Sequence, residues 1–154
     1  MFSLFKRNND RKRRFNYQQI FTVEVPESWR QNDNPNYLSL SEPADVATVT
    51  GNAFAKQKVG SLADFSKHRF GAVAEMKFYS QIGDEAHLVA NGHDFVIREF
   101  EGIWPDETDP TYYVVACTEL DGAYVSLTVT TSPREFQSNK KLYMEIITSV
   151  EPVT

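Results

Sequence analysis

Four runs decide the fold: "QIGDEAHLVA" (81–90), "HDFVIREFEGI" (93–103), "TYYVVACTEL" (111–120) and "AYVSLTVTT" (123–131). Each is strand-like, and the last three are rich in β-branched and aromatic residues, as strands are. Asn91-Gly92 separates the first pair and Asp121-Gly122 the last, with the loop "WPDETDP" (104–110) between the middle two. Asn-Gly and Asp-Gly accept the positive φ angles that tight hairpins require, so the runs predict an antiparallel four-strand meander.

Working outward, Ser61 opens a helix that the spacing places at about 62–79. Its hydroxyl can cap the first turn, Asp64 stands three residues on, and Leu62, Phe65, Ala72, Val73 and Met76 recur at helical spacing. Before it, "IFTVEV" (20–25) alternates as a strand and stops at Pro26, which offers no ladder donor. "NDNPN" (32–36) reads as a turn, and "YLSLSEP" (37–43) and "DVATVTGNAFAK" (45–56) as two more strands. After the meander, "SPREFQSNKKLYMEIITSV" (132–150) reads as a second helix. Ser132 is its cap, Pro133 suits the first helical position and Glu135 completes a capping box. Phe136, Leu142, Tyr143, Ile146, Ile147 and Val150 form its apolar face. The sum is an α+β chain: a single antiparallel sheet of about six or seven strands flanked by two helices.

This order of elements, with the local patterns "F-x-V-x-V-P-x-x-W" at Phe21 to Trp29 and "I-I-x-S-V" at Ile146 to Val150, resembles the PsbP-like fold over about residues 18–152. That fold is shared by the extrinsic photosystem II subunit, a Ran-binding nuclear import factor and bacterial DcrB-like proteins. The resemblance implies that Pro26 and Trp29 turn the chain and plug one end of the core. It also implies a protein-binding role, with no common catalytic set to carry over.

The 154 residues fit one domain, and 41% hydrophobic with 13% aromatic content is enough for a packed core. Charge is distributed unevenly. Residues 1–14 carry six basic side chains against Asp10, a net +5, which leaves ten basic and twenty acidic residues in 15–154, a net −10. The expected division is therefore a basic, mobile arm at 1–18 and an acidic α+β domain at 19–154. The start of the chain lacks the apolar core of a secretory signal, and Cys117 is a lone cysteine, so the expected location is the cytoplasm.

Chemistry is sparse in the sequence. No G-x-S-x-G elbow, P-loop or dinucleotide fingerprint is present. Cys117 sits in the apolar run "YYVVAC", where a small buried hydrophobe is expected rather than a nucleophile. His87 and His93 flank the Asn91-Gly92 turn and would make a poor zinc set even if they faced each other; His68 lies on the first helix. Glu99 and Glu101 share one strand face, a spacing that glycosidases use, but solvated charge is the simpler reading. The expectation is a non-enzyme with no catalytic residues, no cofactor and no metal.

Two segments point to partners. In the arm, Lys6, Arg7, Arg11, Lys12, Arg13 and Arg14 follow the apolar Phe2, Leu4 and Phe5, a pattern suited to an anionic membrane surface; an acidic body makes nucleic acid an unfavourable partner. In "REFEGIWPDETDPTYY" (98–113), Glu99, Glu101, Asp106, Glu107 and Asp109 surround Trp104, with Tyr112 just beyond. An aromatic anchor rimmed by one sign of charge suits a basic protein partner. The leading expectation is a non-catalytic, cytoplasmic protein-binding domain, concretely an immunity-type inhibitor that occludes a basic bacterial toxin or similar partner. The alternative is a membrane or secretion adaptor docked through the arm. A small-ligand or hydrolytic enzyme ranks third.

Overall fold

A computed structural model describes residues 11–56, 60–76 and 78–153. The elements run β1 (Lys12–Tyr17), β2 (Phe21–Pro26), β3 (Arg30–Gln31), β4 (Leu38–Ser41), β5 (Thr48–Ala55), α1 (Leu62–Ala74), β6 (Tyr79–Ala90), β7 (His93–Gly102), β8 (Thr111–Glu119), β9 (Ala123–Thr131), α2 (Pro133–Ile147) and β10 (Glu151–Pro152). Seven strands form one sheet in the order β3-β4-β5-β9-β8-β7-β6, and three more form a second sheet, β1-β2-β10. Every pairing in the two sheets is antiparallel.

The α+β class, the seven-stranded sheet and the two helices match the expectation; the second sheet corrects it. "IFTVEV" does not join the large sheet. It pairs as β2 with β1 on one side and β10 on the other. Residues 12–17 are therefore strand, not part of a mobile arm. The β1–β2 turn holds Gln18 and Gln19 at φ 50° and 61°, a left-handed conformation that this residue pair does not advertise.

The meander forms as expected, with Asn91 and Gly92 both at positive φ. The Asp121-Gly122 turn differs. It closes through the Leu120 amide donating to the Ala123 carbonyl, with neither residue at positive φ. Both helix starts follow the sequence. The Ser61 hydroxyl accepts from the Asp64 amide and the Ser132 hydroxyl from the Glu135 amide, each at 3.1 Å. α1 ends at Ala74 rather than at residue 79, because Phe78 and Tyr79 are drawn into an aromatic cluster at the start of β6. α2 bends at Asn139, whose side chain donates to the carbonyl and carboxylate of Glu135.

The core lies on both faces of the large sheet. On one face α2 and the small sheet cover Leu38, Val49, Phe95, Ile97, Val114 and Leu127. Trp29 is 3% exposed within this cluster, so it is architecture, as the resemblance implied. On the other face α1 covers Val96, Phe100, Val115, Cys117 and Tyr124 with Phe65 and Phe70. Each such large apolar side chain contributes about 1.5–3 kcal/mol by leaving water. Phe70 was not foreseen as a core residue, whereas Ala72 and Met76, expected on the buried stripe, are exposed.

Candidate protein-binding surface

At one corner of the large sheet β6 begins beside the end of β7, and the segment 103–110, which joins β7 to β8, leaves from there. Its anchor is a close backbone approach: Gly102 pairs with Tyr79, and the Ile103 amide donates to the Phe78 carbonyl. A Cβ on Gly102 would stand 1.9 Å from the Phe78 carbonyl oxygen and 2.7 Å from the Tyr79 ring, so only glycine fits. This approach sets Trp104 against Phe78, with ring centroids 4.5 Å apart, and edge-on to Tyr79 at 6.2 Å. Tyr79 in turn stacks on Tyr113 at 4.6 Å. Offset and edge contacts of this kind add roughly 0.5–1.5 kcal/mol per pair beyond burial. Trp104 is thus a half-buried wall of the site rather than a free anchor, and the exposed apolar tip beside it is Ile103.

Strand periodicity divides the expected site. Phe95 and Ile97 belong to the α2-side core, which puts Glu99 and Glu101 on that face, while Phe100 and Tyr113 belong to the α1 side with Trp104. Tyr112 is buried, stacks on Phe136 at 4.7 Å and donates its hydroxyl to Glu99. Burial first, then Glu99, raises its pKa above the ordinary phenol value. Tyr112 is a core residue and is removed from the partner-binding set, and Glu99 is turned toward it. Glu101 lies on the Tyr112 face, and the residues carried together on the connection after β7 are Ile103, Trp104, Asp106, Glu107 and Asp109. Among the described residues none of these acids has a basic partner within ion-pair distance.

The basic segment is built differently. Lys12 pairs with Glu145 at 3.4 Å, and Arg14 reaches Glu24 at 3.6 Å and Glu151 at 3.3 Å. Arg14 also donates to the Ser149 carbonyl, and the Arg13 guanidinium lies 4.1 Å from the centre of the Phe15 ring. Phe2, Leu4, Phe5, Lys6 and Arg7 lie outside the described residues; Arg11 is exposed.

The remaining chemistry is dispersed. His93 pairs with Ala90, on the α2 side of the sheet, whereas His87 pairs with Val96, on the α1 side, so the two do not face each other. Among the described residues no three potential metal ligands converge, and no helix is long and apolar enough to cross a membrane. Cys117 is fully buried and burial pushes its thiol up to about 12, which suits a packing residue.

No protein-family model and no curated protein sequence matches the chain. Solved structures do. The chain is similar to cyanobacterial PsbP (CyanoP) from Synechocystis sp. PCC 6803, with a TM-score of 0.68, 12% identity and 92% of each chain covered. It is similar to the Saccharomyces cerevisiae Ran-binding protein Mog1p, with a TM-score of 0.65, 10% identity, and 93% of this chain and 96% of that one covered. It is also similar to LpqN of Mycobacterium tuberculosis, described as involved in cell envelope biogenesis, with a TM-score of 0.53, 14% identity, and 100% and 98% covered. The chain has the PsbP-like fold.

Proposed function

We propose that this chain is a non-catalytic protein-binding domain that recognises a basic partner through the β7–β8 connection, residues 103–110. The observation that carries the proposal is the set of acids Asp106, Glu107 and Asp109, which have no basic partner within ion-pair distance among the described residues, on the same connection as the exposed Ile103 and the half-buried Trp104. An apolar centre with unspent charge at its rim speeds encounter and fixes orientation. A Ran-binding protein of the same fold supports a protein partner in general terms. The concrete form is a cytoplasmic, immunity-type inhibitor: the acidic surface covers the active site of a basic toxin and acts by occlusion, so no catalytic group is required of it. Contact with an anionic membrane, as an adaptor, would fall to residues 1–10 with Arg11 and Arg13, because Lys12 and Arg14 already have acidic partners.

The test is affinity capture from lysate followed by binding kinetics with the captured protein at two salt concentrations. One stoichiometric basic partner is expected, whose association slows as salt rises and which is lost by Asp106→Lys, Glu107→Lys, Asp109→Lys protein. A partner bound equally well by that variant, or with salt-independent kinetics, overturns the proposal.

A further inference from the structure

α1 covers only part of its face of the large sheet. It packs on β8 above all, and on β6, β7 and β9, and meets β5 at Phe54. Where the helix stops, the sheet surface turns polar: Thr50 and Asn52 of β5 and Ser126, Thr128 and Thr130 of β9 line it in place of apolar residues. Between this floor and the helix lies a cavity of about 480 Å³, lined by Arg69, Ala72 and Val73 of α1, by Met76 just past its end, and by Tyr37 and Tyr113.

Two buried polar atoms at this cavity are poorly satisfied. Ser126 is 3% exposed, and its hydroxyl has only the weakly bonding Cys117 thiol opposite it on β8. The Nε of Arg69 is also buried and unpartnered, and among the described residues no carboxylate lies within ion-pair distance of its guanidinium. Such groups cost about 1–3 kcal/mol each when left unsatisfied. The guanidinium is held in place, 5.0 Å from the centre of the Phe54 ring. Among the described residues no acid lines the cavity, in a domain where acids outnumber bases two to one. The charge is felt at the floor, where Arg69 draws the pKa of Cys117 down against the larger effect of burial.

We propose that this cavity is a binding site for a small, singly charged organic carboxylate, its head on Arg69 and the Ser126 and Thr128 hydroxyls and its apolar body against Val73 and Met76. One guanidinium can hold one carboxylate in a two-point contact but cannot balance a polyanion. The volume is at the small end for ligand pockets. The apolar body would cover part of Met76, one of the large hydrophobic side chains left exposed.

Amide NMR titration of the full chain with sodium benzoate and sodium octanoate, each beside its neutral alcohol, tests this site. Saturable shifts at Asn52, Ser126 and Thr128 are expected with at least one carboxylate and not with the alcohols. Arg69→Gln is expected to weaken binding roughly tenfold or more, and Ser126→Ala by a few-fold. If Arg69→Gln fails to fold, Ser126→Ala decides. Equal responses to acid and alcohol, unchanged affinity in the variants, or saturation by inorganic sulfate with neither carboxylate bound each overturn the proposal. The triple lysine variant of the 103–110 loop is expected to bind benzoate normally, which separates this site from the protein-binding surface.

Discussion

The two charged regions of this chain are built on opposite plans. In β1, Lys12 and Arg14 are answered within the domain by Glu145, Glu24 and Glu151, and Arg13 lies against a ring. In the 103–110 loop, Asp106, Glu107 and Asp109 stand without a basic neighbour among the described residues, on a backbone fixed by the Gly102 approach. Charge answered inside the fold links β1 to α2, β2 and β10, whereas unanswered charge is available to a second molecule. A count of charged residues does not distinguish the two; only their neighbours do.

That contrast can be broken experimentally. The largest effect is expected from reversing Asp106, Glu107 and Asp109 to lysine: affinity for the basic partner falls on the order of 100-fold or more, while urea unfolding stability stays within about 0.5 kcal/mol. A comparable loss of stability would mean that the acids serve the fold. Next, Gly102→Ala is expected to cost about 1–3 kcal/mol and to change the fluorescence of Trp104, because its Cβ cannot fit beside Phe78. Replacing Gln18 by Asn and Gln19 by Gly is expected to stabilise the protein by about 1 kcal/mol, since both positions have positive φ; a loss would show that β1 is not held as described. Smallest is Arg14→Met, expected to cost between nothing and about 1 kcal/mol, less at high salt, with partner binding unchanged.

The meander and both helix starts were legible because each depends on local chemistry: a hairpin turn at Asn91-Gly92 and a capping serine before each helix. β1 was not, since its turn uses two glutamines and its exposed length is basic, which reads as a solvated tail. α1 was read too long because its period continues through Met76, but packing of Phe78 and Tyr79 with Trp104 and Tyr113 overrides that propensity. At the surface, the loop acids could be read from composition. The separation of Tyr112 from Trp104 could not, because it depends on which face each strand residue takes after an eight-residue connection. Arg69 gave no signal at all, since one arginine on a helix is ordinary until its neighbours are known.

β6 carries one further consequence. Opposite Glu99 and Ile97 of β7 stand Ile82 and Ala86, so Gly83, Asp84 and Glu85 bulge from the outermost strand. A twelve-residue strand with a bare edge is normally a template on which other copies stack and fibrils grow. Here the bulge interrupts the register, and two carboxylates occupy the break. The break is of the kind that keeps an edge strand from pairing with another copy, and filling it with a flat, uncharged strand is expected to raise the tendency to aggregate.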